Sequence, residues 1–261
     1  MASAVTSSAP VLELRSVTQR FGGLTAVKDL SMTIAPGALY GVIGPNGAGK
    51  TTVFNLLTGV YDPTEGEIWL RGTRIDGRAP HEICRLGIAR TFQNIRLFAD
   101  MTVLENVMAA RHLRSRQRLT DALIGTRRHQ TEEREMRDRA MALLRMFDLE
   151  RHAEERSTAL PYGSQRRLEI ARALATDPIL LLLDEPAAGM NPQEATDLMD
   201  LIRRVRDEFH LTVVLVEHNM KVVMGICETV QVIDYGEVIA VGTPEDIQRN
   251  PDVIRAYLGA G

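Results

Sequence analysis

The chain has only two cysteines among its 261 residues, Cys84 and Cys227. They lie far apart and form no C-x-x-C pair, which excludes a disulfide framework and a zinc site and fits a reducing cytosol. An excess of positive charge is also missing: 31 Lys plus Arg stand against 34 Asp plus Glu, a formal net charge of -3. A nucleic-acid partner is therefore not expected. The strongest apolar runs, Ile179–Leu183 and Leu211–Val216, fall far short of the ~20 residues that a membrane span needs. Any work at a membrane is done from outside the lipid. The opening segment, MASAVTSSAP, lacks both a basic flank and an apolar stretch, so residues 1–10 read as a flexible tail and not as a secretion signal. Internal repeats and low-complexity segments are absent as well.

What is present is ordinary for a globular chain, with 44% hydrophobic and 25% charged residues and a length suited to one large domain or a domain with a subdomain. Val11–Phe21, Ser31–Ile34 and Glu67–Arg71 predict short strands, with turns at Pro36-Gly37 and Asp62-Pro63. Leu39–Ile43 is an apolar strand that runs into glycines, followed by a helix through Phe54, Leu56 and Leu57. Leu180–Leu183 and Val213–Val216 read as strands buried on both faces, the kind found in parallel sheets. Between them lies a helix with Asn191 as N-cap, Pro192 at its first position and Glu194 completing a capping box. Ala195, Leu198, Met199, Ile202 and Val205 mark its buried face. Strand, helix, strand with apolar strands means βαβ units and an α/β fold.

The middle differs. From Val103 to Phe147 no strand signal appears, and Met136, Ala140, Leu143, Leu144 and Phe147 form a helical stripe. Met101–Arg156 thus reads as an inserted helical subdomain between core segments 11–100 and 157–261 of a single domain. Arg111, Arg114, Arg116, Arg118, Arg127 and Arg128 make a basic cluster there. It is either a solvated face or a contact for a membrane surface or an acidic partner.

The chemistry begins with Gly44-Pro45-Asn46-Gly47-Ala48-Gly49-Lys50-Thr51. This fits G-x-x-x-x-G-K-[ST] between a strand and a helix, a phosphate-binding loop. Its glycines let successive N–H groups point inward, the helix N-terminus adds positive potential, and Lys50 reaches the β- and γ-phosphates. The Thr51 hydroxyl suits Mg²⁺. Ile179–Leu183 ends in Asp184 and Glu185. On a strand two successive residues point to opposite sides and cannot share one task. Asp184 suits Mg²⁺ held through water, and Glu185 suits taking a proton from an attacking water; read alone, the pair could cap a helix. His218 follows the next parallel strand after Glu217, at the same sheet edge. Gln93, alone, is a polar surface residue. Phe21 is core by default, although its ring face can stack on adenine.

One stretch is unexplained by a nucleotide site alone. Leu160-Pro161-Tyr162-Gly163-Ser164 reads as a glycine turn, and Gln165–Leu174 as a helix with Leu168, Ala171 and Ala175 on one face. Taken in order, the phosphate loop, Gln93, this second turn, Asp184-Glu185 and His218 resemble the ATP-binding subunits of ABC transporters, over nearly the whole chain from Val11 onward. The resemblance implies a P-loop NTPase fold with a parallel-sheet core, an antiparallel β arm and an inserted helical subdomain. It implies ATP with Mg²⁺ held by Thr51, Gln93 and Asp184, a phosphate loop extending through Thr52, and Phe21 stacked on adenine. Glu185 takes the place of the catalytic base, His218 that of the γ-phosphate-contacting switch histidine, and Gln93 that of the glutamine that senses the membrane subunit. Pro161, Tyr162, Gly163, Ser164 and Gln165 take the place of the signature, which in that family grips ATP held by a partner subunit packed head to tail. Ala188-Gly189-Met190-Asn191 occupies the D-loop, with Asn191 where Asp is usual.

The common signature reads L-S-G-G-Q, and here Pro161 lacks the serine hydroxyl. A hydrogen bond to a charged group is worth ~1.5–3 kcal/mol, roughly ten- to a hundredfold in affinity, so a weaker composite site with a non-identical ATPase partner is expected. The segments Tyr162–Arg172, Asp184–Pro192, Glu217–Met224 and Gly242–Gly259 resemble the larger ATPase subunit of branched-chain amino-acid importers, with Leu113–Glu135 as its extended insertion. That family implies a second ATPase, two transmembrane permease subunits and a periplasmic substrate-binding protein, with this chain peripheral on the cytoplasmic face of the inner membrane. Transport of another cargo, such as urea or lipopolysaccharide, and a non-transport ABC ATPase are the alternatives. The latter class usually has paired cassettes, long coiled coils or strongly basic faces.

Overall fold

The computed structural model describes residues 9–114 and 127–258. Its first strands are β1 (Leu12–Phe21), β2 (Leu24–Ile34) and β3 (Leu39–Ile43), followed by helix α1 (Lys50–Leu57). Then come β4 (Glu65–Leu70), β5 (Thr73–Arg74), α2 (Pro80–Leu86) and β6 (Ile88–Arg90). Helices α3 (Val103–Arg111), α4 (Arg127–Met146) and α5 (Tyr162–Leu174) occupy the middle. The last part runs β7 (Leu180–Asp184), α6 (Pro192–Phe209), β8 (Thr212–Val216), α7 (Met220–Ile226), β9 (Thr229–Asp234), β10 (Glu237–Gly242), α8 (Pro244–Arg249) and α9 (Pro251–Leu258).

Two sheets result. One is antiparallel, in the order β2-β1-β4-β5. The other runs β10-β9-β3-β8-β7-β6 and is parallel except for β10. Every residue of β3, β7 and β8 is buried, as strands covered on both faces require. Alternation along them decides which core each side chain joins. Leu180, Leu182, Val214 and Val216 pack with Phe54 of α1 and with Leu12 and Ile68 of the antiparallel sheet. Leu181, Leu183, Val213 and Leu215 pack instead with Leu168 of α5 and with Leu198 and Ile202 of α6. A one-residue slip would exchange the two sets.

Among the described residues the helical segment has no core of its own. Its predicted stripe is buried, but Ala140, Leu143, Leu144 and Phe147 share one cluster with Leu181 and Leu183. Its two ends meet: Thr102 bridges Arg156, and the Ser157 N–H donates to the Met101 carbonyl at 3.2 Å.

Three sequence expectations change. Arg111 is buried rather than part of a basic face: its guanidinium donates to the Ala175 carbonyl at 3.2 Å and to Asp177 at 2.5 Å. The side chains of Arg114, Arg127 and Arg128, and all of Arg116 and Arg118, lie outside the described residues. β2 begins at Leu24, not Ser31, because Asp29 turns with φ 47 and breaks the alternation between buried Val27 and Leu30. The strand predicted as Glu67–Arg71 is shifted to Glu65–Leu70, with Arg71 turning away at φ 46.

Candidate functional site

The loop Gly44–Thr52 joins β3 to α1, as the strand-loop-helix pattern requires. Two glycines have no substitute. A Cβ on Gly44 would sit 2.0 Å from the Ile233 carbonyl oxygen, and one on Gly49, at φ 104, would sit 2.5 Å from that of Ala26. The loop is thus pressed between β9 and β2. Gly49 caps α1 without a side chain, so the helix start presents backbone N–H groups and positive potential. Lys50 is buried, and its ammonium donates to the carbonyls of Gly44 (2.7 Å) and Pro45 (2.8 Å). Burial pushes its pKa below the usual lysine value, while the charges of Glu185 and Asp184 push it back up. A cation so desolvated, and already within the loop's curl, is well placed for a polyphosphate.

Asp184 ends β7 and is 5% exposed. Its carboxylate accepts from Arg90 at 2.8 Å. Arg90 also donates to Asn55 of α1 at 2.7 Å and lies between the rings of Phe54 and Phe92. Glu185 departs from the expected geometry. The two carboxylates do not diverge by strand alternation; β7 has ended, and Glu185 turns out at φ 46 with its N–H on the Val216 carbonyl at 2.9 Å. A left-handed non-glycine residue costs of order 1–3 kcal/mol, a strain that clusters at functional sites. The turn brings Glu185 to Gln93, whose amide nitrogen donates to it at 2.8 Å, and to within 3.4 Å of His218 Nδ1. Two residues 125 positions apart, Gln93 and His218, thereby converge on one carboxylate.

Gln93 and Glu185 line a groove of about 470 Å³ together with Phe21, Ala26 and Gly47–Thr52. Phe21 is 41% exposed, its ring edge-on to Tyr61 with centroids 5.0 Å apart. It stands at the rim, not in the core. Thr51 is exposed beside it.

The second turn is not a turn. Pro161 is the N-cap of α5, and Tyr162, Gly163 and Ser164 already belong to the helix. No side chain caps this start, and the Gln165 amide donates to the Leu160 carbonyl at 2.8 Å. A Cβ on Gly163 would meet nothing nearer than Glu194 at 3.9 Å. None of Pro161–Gln165 lines the groove that holds Lys50. Asn191 caps α6, accepting from the Glu194 N–H at 2.9 Å, with the predicted capping box complete.

Four contributors escaped sequence reasoning. Arg90 is one. Glu217, 1% exposed, accepts from the N–H groups of Ala187 (3.1 Å) and His218 (3.2 Å), and burial raises its pKa. Arg166 and Glu169, both buried, pair at 2.9 Å on α5. The available signal was three residues of spacing between opposite charges on a helix whose other face is apolar.

Known proteins are similar to this chain along most of its length. The ABC transporter family pattern matches residues 27–188, and that of the branched-chain amino acid ATP-binding cassette transporters matches residues 237–261. The chain is 47% identical over 252 residues to the high-affinity branched-chain amino acid transport ATP-binding protein LivG of Escherichia coli, spanning 97% of this chain and 99% of that protein. The ADP conformation of MJ1267, an ATP-binding cassette of an ABC transporter, superposes with a TM-score of 0.83 at 27% identity, over 97% of this chain and 100% of that one. The dimeric post-hydrolysis state of the cassette MJ0796, bound to ADP and Pi, superposes with a TM-score of 0.75 at 28% identity, over 89% and 98%. Among the described residues no helix is long and apolar enough to cross a membrane. Similarity of this degree along almost the entire length decides the matter: the chain belongs to the ATP-hydrolysing, ATP-binding subunits of ABC transporters, in their branched-chain amino-acid branch.

Proposed function

We propose that this chain powers uptake of branched-chain amino acids by hydrolysing ATP between its own phosphate loop and the signature helix of a second, non-identical ATPase subunit. The observation that carries the reading is the meeting of Gln93, Glu185 and His218 opposite Lys50. ATP lies along the groove with adenine against Phe21 and its phosphates on Gly44–Thr52. The donor set suits Mg²⁺: the Thr51 hydroxyl and Gln93 amide oxygen are hard donors that would hold it, and the Asp184 carboxylate, engaged by Arg90, would contribute through a water. When bound, Mg²⁺ neutralises charge on the β- and γ-phosphate oxygens.

Glu185 takes the proton of a water whose oxygen bonds to the γ-phosphorus. The bond from that phosphorus to the β–γ bridging oxygen breaks, leaving ADP and phosphate. His218 holds the γ-phosphate and Gln93 orients the water. Pro161–Gln165 serve the partner's ATP, a role supported by the open space at Gly163 and by the absence of these residues from the lining of their own chain's groove. ATP can shift the pair toward closure only by binding the closed state better, and contacts from both chains supply that preference. Two permease subunits and an external substrate-binding protein complete the transporter, with this subunit on the cytoplasmic face of the inner membrane. The test is turnover with the permease assembled. Removing a general base costs about 10²–10⁴ in rate, so Glu185→Gln binds ATP yet scarcely hydrolyses it, whereas Lys50→Ala loses ATP affinity. Full turnover by Glu185→Gln would contradict the reading.

A further inference from the structure

The start of α5 is tied to its own chain as well as open to another. Arg166, fully buried, donates to the carbonyls of Phe92 and Gln93, each at 2.7 Å, and to the Tyr162 hydroxyl at 3.0 Å. Glu169 anchors it at 2.9 Å and accepts from the Phe92 N–H at 3.2 Å. The Tyr162 hydroxyl in turn donates to the Ala188 carbonyl at 3.1 Å. Its ring rests on Gly189, where a Cβ would come within 3.3 Å of it. Ala188 closes a tight turn, its N–H on the Glu185 carbonyl at 3.1 Å. Glu185 accepts from the Gln93 side chain. The path therefore returns to where it began: Glu185, Gln93, Arg166, Tyr162, Ala188, Glu185.

We infer that Tyr162 and Arg166 are positioning residues, which fix Gln93 and Glu185 relative to each other by closing this ring of hydrogen bonds from the signature helix. The inference rests on the reading of Gln93 and Glu185 given above. Each member is held by two neighbours, so the carboxylate and the amide share one rigid frame although their chain positions lie 92 residues apart. The frame also gives a partner's nucleotide a route inward. A ligand that grips the exposed helix start pulls on Tyr162, and Tyr162 reaches the backbone on both sides of the attacking water. Reacting groups displaced by about 1 Å can cost on the order of 10²-fold in rate, so a weak frame suffices to matter.

Tyr162→Phe removes only the hydroxyl and keeps the ring on Gly189. In the assembled transporter it lowers kcat by about three- to tenfold, the value of one net hydrogen bond, with the KM for ATP unchanged. In a Gln93→Ala background the same substitution has a clearly smaller effect, because the part of its action that sets Gln93 against Glu185 is already lost and only the branch through Ala188 remains. An unchanged kcat, a full extra loss in the Gln93→Ala background, or a raised KM with kcat preserved would each overturn the inference, the last by making Tyr162 a direct contact for the partner's ATP. If Gln93→Ala alone leaves kcat intact, the reading of Gln93 itself has failed. If Gln93→Ala lowers kcat and Tyr162→Phe does not, only the coupling has failed.

Discussion

The starts of α1 and α5 are both helix N-termini without a side-chain cap, yet the chain treats them in opposite ways. The start of α1 is packed hard against its own chain on the side away from the groove. Gly44 and Gly49 are pressed against backbone oxygens of neighbouring strands, and Lys50 is buried with its ammonium on the loop's own carbonyls. Around the first turn of α5 there is room: Gly163 has no close neighbour, and Tyr162 is 46% exposed. One helix start is shaped by its own chain and is ready for a phosphate chain. The other has a glycine that its own packing does not demand, and the simplest physical reason for such a glycine is the close approach of something else. The proposed nucleotide pocket, assembled from one of each, would explain why a single chain carries both.

That contrast predicts effects of opposite sign for the same substitution. Gly49→Ala forces a Cβ into the Ala26 carbonyl at a backbone angle that L residues rarely adopt; strain and overpacking together cost about 3 kcal/mol, read as a lower urea midpoint. Next in size is the strand that feeds the loop. Burial raises the Tyr40 hydroxyl from 10.0 to about 12, and that hydroxyl donates to Gln231 at 2.6 Å. Because the folded state holds the proton more tightly, its stability is whole below about pH 10 and falls as pH rises toward 12, by on the order of 2–3 kcal/mol. Urea titrations across that window measure the fall, and Tyr40→Phe flattens it. Smallest is Gly163→Ala, which meets no clash and stabilises the isolated subunit by about 0.5–1 kcal/mol. Its cost appears only in ATP-driven association. Equal destabilisation by Gly49→Ala and Gly163→Ala would erase the distinction between the two helix starts.

Sequence reading reached the parts whose signals are local. The phosphate loop, the capping box at Asn191 and the two-faced strands Leu180–Leu183 and Val213–Val216 depend on neighbours within a few positions, and the fold contains them. It failed where contacts are distant. Nothing near Arg90 announces Asp184, 94 residues away, and nothing near Arg166 announces the carbonyls of Phe92 and Gln93. Two local misreadings have local causes. Gly163 and Ser164 favour turns, but the helix needs no positive φ there and includes them. Glu185 follows an apolar strand and reads as its continuation, although the strand stops one residue earlier and the residue turns left-handed.

The central claim is a pocket walled by two polypeptides, and size-exclusion chromatography with light scattering tests it most directly. Purified Glu185→Gln protein, saturated with Mg-ATP and mixed with its companion ATPase subunit, is predicted to run as a two-chain complex that dissolves when ATP is replaced by ADP. A variant that binds ATP fully and still runs as a single chain would contradict the account.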